Sequence, residues 1–303
     1  MTANDTLLAP LQLGAFHLAH RVVMPPTHRG RAPLPESAPD AAMVRYYGQR
    51  ATPGGLVIAE TAYICPAGHR EPSRPGIYSI EQVNRWRDVT DAIHQRGGIV
   101  VAQLGYAWER HGAAADMDRV LEDYRSAAEN ASDAGFDGIE LDATEGSLPA
   151  HATAHRAADS GATPLQDIVQ TLCAAWEPSR IGLCVSAGAP PAALDGIGTP
   201  GLAYLRLAGY RGGQPVRTPG PGWQHVLLSG LFGSAEAAAQ AVAAGDAAAI
   251  GFEVHFIAHP DLPARIRAGA PFALADETVR QFTNGAGYTD YPGWDGNDDG
   301  ATP

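Results

Sequence analysis

Apolar and polar positions along this chain repeat with two periods. Short apolar runs bounded by Gly or Pro read as buried strands, and longer amphipathic stretches read as helices. Arg21-Val-Val-Met-Pro-Pro26 opens the series, and Gly55-Leu-Val-Ile-Ala-Glu-Thr-Ala62 follows it. A period near 3.6 predicts a helix over residues 79–95, with Ile80, Val83, Trp86, Val89 and Ile93 on one face. A third strand is expected over 98–104, a helix over 118–134 and a fourth strand over 138–141. A helix over 164–176, strands over 181–186, 203–207 and 225–229, a helix over 235–244 and a strand over 247–252 complete the pattern.

Eight strands alternating with helices imply an α/β fold, a closed parallel (β/α)8 TIM barrel. An open doubly wound sheet would carry a Gly-rich turn after its first strand, where this chain has Pro25-Pro26-Thr27-His28. The connections 187–202 and 208–223 are rich in Pro and Gly and show no helical period, so the outer helices after strands five and six are expected to be reduced. Uncovered strand faces predict a covering subunit, either in a homo-oligomer or in a complex with a homologous chain. One barrel domain is expected over residues 1–292, with a disordered acidic tail over 293–303.

Composition narrows the chemistry. All 21 basic residues are arginine, which excludes Schiff-base lysine chemistry and a lysine phosphate loop. A net charge of −12 argues against nucleic acid and anionic membrane as partners, leaving a small-molecule substrate. There is no long apolar span and no basic-then-apolar leader, so a cytoplasmic location is expected. Cys65, Cys173 and Cys184 form no CxxC pair and read as small buried hydrophobes, and no spacing points to a metal.

Several motifs together resemble the Old Yellow Enzyme family of flavin-dependent ene-reductases. Leu7-Leu-Ala-Pro-Leu-Gln-Leu-Gly14, His20-Arg-Val-Val-Met-Pro-Pro26 and Tyr46-Tyr-Gly-Gln-Arg-Ala51 resemble its opening, first strand and first helix. Gly76-Ile-Tyr-Ser-Ile-Glu-Gln82, Gln103-Leu104, Phe256-Ile-Ala-His-Pro-Asp-Leu262 and Gly287-Tyr-Thr-Asp-Tyr-Pro292 extend the likeness to the C-terminus. The resemblance implies FMN at the barrel mouth, hydride from a nicotinamide nucleotide and an activated alkene as acceptor.

Carried over residue by residue, the resemblance also shows departures. Pro26, Thr27, Gln103, Gly230 and Gly251 fall on flavin-binding positions, and His28 stands at a first-strand threonine position. The ring arginine falls on Cys184, and the phosphate-binding Gly-Arg pair falls on Glu253-Val254. A tryptophan position falls on Gly105, and the lid between Gln103 and Asp118 is shortened, so an enlarged mouth is expected. The substrate-orienting His-x-x-Asn pair becomes Asp142 and Glu145, and the tyrosine becomes Ser147.

A carboxylate about 5 Å from a phosphate charge, at an effective dielectric of about 20, repels it by about 3 kcal/mol. The first expectation is therefore a vestigial flavin site with no cofactor. Asp142, Glu145, His28 and Tyr106 would run acid/base isomerisation, dehydration or cyclisation of an apolar oxygenated molecule. Gln103, Gly105, Ser147 and Cys184 would contact that substrate. The plainer reading has Asp142 capping its loop, Glu145 facing solvent and Glu60 as a structural carboxylate. Two alternatives stand beside the first expectation, an FMN-dependent ene-reductase and a non-catalytic partner subunit of an active homologue.

Overall fold

The computed structural model describes residues 3–69, 71, 73–108, 116–154, 164–189, 194, 197, 201–211, 222–272 and 287–294. A short helix α1 (Ala3–Leu7) precedes an antiparallel hairpin of β1 (Leu11–Leu13) and β2 (Phe16–Leu18). Then come β3 (Val22–Met24), α2 (Ala41–Arg50), β4 (Leu56–Ile58), a two-residue strand β5 (Ala62–Tyr63), α3 (Ile80–His94) and β6 (Ile99–Gly105). Next are α4 (Met117–Asp133), β7 (Gly138–Ala143), α5 (Leu148–Ala154), α6 (Pro164–Ala175), β8 (Ile181–Ser186) and β9 (Tyr204–Arg211). β10 (Val226–Leu231), α7 (Ala235–Ala243), β11 (Ala249–Phe252), α8 (His255–Ala258) and α9 (Leu262–Ala268) complete the order.

The sheet is closed. Strands β3, β4, β6, β7, β8, β9, β10 and β11 pair in parallel in chain order, and β11 returns to β3. This is the (β/α)8 barrel expected from the periodicity. Helix ends follow local chemistry. Ser79 and Gln82 form a capping box on α3, and the Asp116 carboxylate caps α4.

Alternation along the strands sorts side chains into two shells. Outside, Val22, Val57, Val100, Ile139, Leu183, Leu205 and Leu228 pack under the helices. Inside, Val23, Leu56, Ile58, Val101, Tyr204, Leu227 and Ala249 form a second apolar cluster with Leu13, Phe16 and Leu18 of the hairpin. The hairpin thus plugs the N-terminal end with hydrocarbon. Two residues further along the same inward rows stand Gln103, Arg206 and Ser229, so the interior turns polar toward the C-terminal end.

Much of the two reduced connections, the centre of the shortened lid (109–115) and the tail from 295 onward lie outside the described residues. β9 continues to Arg211, beyond the expected 203–207, because Leu207 and Tyr210 are buried. No helix among the described residues is long and apolar enough to cross a membrane.

Candidate active site

A cavity of about 330 Å³ opens at the C-terminal ends of the strands. That is the end at which barrel enzymes carry their chemistry, and the volume is within the range of small-molecule sites. Pro26, His28, Gln103, Tyr106, Asp142, Glu145, Ser147 and Glu253 line it, as do Thr61, Glu71, Arg74, Thr144 and Arg206.

The floor is one continuous polar chain. Thr61 Oγ1 donates to Gln103 Oε1 at 2.5 Å, and Gln103 Nε2 donates to Glu140 Oε1 at 2.8 Å. Arg206 holds Glu140 through Nε (3.0 and 3.2 Å) and through a terminal nitrogen (2.9 Å), and it donates to Ser229 Oγ at 2.8 Å. Arg206 is 3% exposed and Glu140 fully buried, so water does not screen the pair. Burial opposes the guanidinium charge, but its surroundings, the Glu140 carboxylate among them, outweigh that and hold Arg206 more firmly protonated than usual.

Two loops form one wall. Ala107 and Ser147 make an antiparallel bridge, Trp108 N donates to Gly146 O at 2.9 Å, and Leu148 N donates to Tyr106 O at 2.8 Å. The loop after β6 is thereby pinned to the loop after β7, and the ring of Trp108 stacks on His151. Asp142 Oδ1 accepts from Thr144 N (3.0 Å) and Thr144 Oγ1 (2.6 Å), an Asx turn that fixes its carboxylate. Glu145 is exposed, and its backbone N–H donates to Ser186 Oγ. Ser147 Oγ accepts from Ala150 N in the first turn of α5. The Tyr106 phenol is pushed above its ordinary pKa by burial, then by Cys65 and Asp123.

The opposite wall is ionic. His28 Nδ1 lies 3.4 Å from Glu60 Oε2, and its Nε2 lies 3.5 Å from Glu71 Oε2. Arg74 pairs with Glu71 at 2.8 Å. Glu60 also accepts from the Tyr47 hydroxyl at 3.5 Å, so it braces β4 against α2 as well as facing His28.

Three expectations are corrected by this geometry. Cys184 does not line the cavity. It is fully buried beside Arg206, its register partner on β9, and burial pushes its thiol well above the usual range. The resemblance implies a guanidinium at 184; the structure has one on the neighbouring strand, at Arg206. Gly105 also stands outside the lining and opens no space, because a Cβ there would lie 2.3 Å from Thr61 Cγ2, which already fills the gap. Thr27, Gly230 and Gly251 also stand outside the lining. A Cβ on Gly230 would meet the Tyr210 carbonyl oxygen at 2.0 Å, and Thr27 Oγ1 donates to the Glu253 carbonyl. Among the described residues no group of three His, Cys, Asp or Glu could hold a metal ion.

Fold and site together define a (β/α)8 barrel with a polar small-molecule pocket at its C-terminal mouth. Residues 6–111 match the family model described as NADH:flavin oxidoreductase / NADH oxidase. Putative 12-oxophytodienoate reductase 4 of Oryza sativa subsp. japonica is 28% identical, over 99% of this chain and 96% of that protein. A 12-oxophytodienoate reductase-like protein of Solanum lycopersicum is 28% identical, over 96% of this chain and 98% of that one. Morphinone reductase, solved in complex with tetrahydroNAD, superposes with a TM-score of 0.85 at 28% identity, covering 97% of this chain and 99% of its own. These matches support membership of the Old Yellow Enzyme family.

The expectation of a site without cofactor is overturned by these matches, which point to FMN. The donor set at the floor agrees with a flavin ring. Gln103 offers an amide and Arg206 a fixed cation, suited to the acceptor-rich pyrimidine edge of that ring. At the far end, where β10 and β11 finish, Glu253 reaches the lining.

Proposed function

We propose that this protein is an FMN-dependent reductase that passes hydride from a nicotinamide nucleotide to an activated alkene. The observation that carries the reading is the match over nearly the whole chain to a reductase solved with tetrahydroNAD. The pocket at the barrel mouth supports it, with Gln103 and Arg206 on its floor. Bound FMN supplies the hydride chemistry.

The chain's own residues do the rest. Gln103 and Arg206 hold the ring. Tyr106 keeps its phenolic proton through neutral pH, because burial disfavours the phenolate, and it offers that proton from Oη to the substrate. Asp142, fixed by Thr144, and Glu145 at the rim are acceptors. They suit a substrate that presents a hydroxyl or protonated amine on that side rather than a carbonyl.

The test is anaerobic oxidation of NADH and NADPH by the FMN-loaded protein, with and without a panel of α,β-unsaturated ketones bearing hydroxyl or amine groups. Consumption that depends on the alkene is the expected result. A protein that binds FMN and is reduced by nicotinamide, yet reduces no alkene in the panel, would sink the proposal.

A further inference from the structure

The two ends of the pocket treat a bound flavin very differently. At the floor, Glu140 and Ser229 engage three of the five N–H groups of Arg206, leaving one on each terminal nitrogen for a ligand. Gln103 likewise spends one amide hydrogen on Glu140 and keeps the other. Two donors and a fixed positive charge are thus set side by side on a rigid floor. A flavin ring places adjacent acceptors, N1 and the C2 carbonyl oxygen, along one edge, and negative charge gathers there on reduction.

In parallel barrels a phosphate is commonly held after the seventh and eighth strands and at the start of a short extra helix. Here those elements are β10, β11 and α8. The ionisable group they bring to the lining is the carboxylate of Glu253. The two guanidiniums among the described lining residues, Arg74 and Arg206, are paired with Glu71 and Glu140. α8 has four residues and no side-chain cap, so it adds little dipole.

We propose that this protein takes its flavin by the ring, through Arg206 and Gln103, and gains little from the phosphate, so that riboflavin binds as tightly as FMN. This rests on the flavin-dependent reading above. The guanidinium on β9 also accounts for the small residue at 184. Cys184 is the register neighbour of Arg206, and a longer side chain there would compete for the same volume.

The experiment is equilibrium titration of flavin-free protein with FMN and with riboflavin, read by quenching of flavin fluorescence. The set is wild type, Glu253→Gln and the charge-neutral pair Arg206→Gln/Glu140→Gln. Wild type should bind the two flavins within about threefold of each other, because a phosphate facing a carboxylate contributes no net attraction. Glu253→Gln should tighten FMN about tenfold and leave riboflavin unchanged. The pair variant should weaken both flavins at least about tenfold while unfolding as cooperatively as wild type.

Should the pair variant fail to fold, Arg206→Lys carries the same expectation, since it keeps the charge but loses the fork. FMN bound more than about tenfold tighter than riboflavin by wild type, or ring-end variants that bind both flavins normally, would overturn the proposal alone. Failure of wild type to bind either flavin would overturn the flavin-dependent reading and this inference with it.

Discussion

Gly105 gives a stringent check on the packing of the pocket floor. A Cβ built there lies 2.3 Å from Thr61 Cγ2, far inside van der Waals contact, while the next atoms, Asp142 Oδ2 and Thr61 Cβ, lie at 3.8 Å. The clash is with one methyl group of one side chain. Thr61 cannot swing away freely, because its hydroxyl donates to Gln103 at 2.5 Å and the residue is buried. Gly105→Ala is therefore expected to destabilise the protein by about 1–3 kcal/mol, the usual cost of overpacking. Thr61→Ser removes the offending methyl and keeps the hydroxyl, at a cost of about 1 kcal/mol for the small void. In the double variant the new methyl occupies the vacated space, so the two losses should cancel in large part. The coupling energy is expected to favour the double variant by about 1–3 kcal/mol. Urea denaturation of the four proteins, at constant m-value, measures it. Additive losses in the double variant would refute the steric account, as would a Gly105→Ala protein as stable as wild type.

Other consequences are open to measurement. His255 is buried against Phe252 and Phe272, and burial, then the nearby His259, lowers its pKa to about 4. The unfolded chain takes up that proton near pH 6.5 and the folded one only near 4, so stability is complete above about 6.5 and falls by about 3 kcal/mol as pH drops through this window. His255→Phe should flatten that part of the stability–pH curve, and an unchanged slope would count against it. Tyr106→Phe should lower kcat about 10²-fold without loss of bound flavin if the phenol supplies the proton, and an unchanged kcat would exclude it. Asp142→Asn should raise KM about tenfold for amine- or hydroxyl-bearing alkenes and leave simple enones untouched, and a uniform change across both would remove its assigned role.

Much of the fold was written in local pattern. The amphipathic period of 79–95 and its Ser79–Gln82 box set α3 almost to the residue, and the apolar run 181–186 became β8 as read. The hairpin of β1 and β2 was not foreseen. Three-residue strands carry too little alternation to be seen, and this one earns its place by plugging the barrel rather than by its own propensity. The site was legible in part, because residues just past strand ends fall at the mouth of any such barrel. His28, Gln103, Tyr106, Asp142, Glu145 and Ser147 do meet around one cavity.

Arg206 was missed for a physical reason that bears on how such sites are read. In Ala203-Tyr-Leu-Arg-Leu207 a single arginine amid apolar residues looks like a long stem reaching solvent. Its partner Glu140 is 66 residues away, and only the parallel pairing of β7, β8 and β9 brings the two together. A signal was available nonetheless. Glu140 and Arg206 each sit at an inward position flanked by apolar neighbours (Ile139 and Leu141, Leu205 and Leu207), and two buried opposite charges in one barrel need each other. The resemblance implies an arginine at 184, where this chain has Cys184. Parallel register puts residue 206 beside residue 184, so a guanidinium from either strand reaches the same floor. In this chain the charge at the pocket floor comes from β9, where Arg206 is fixed by Glu140 and Ser229 beside position 184.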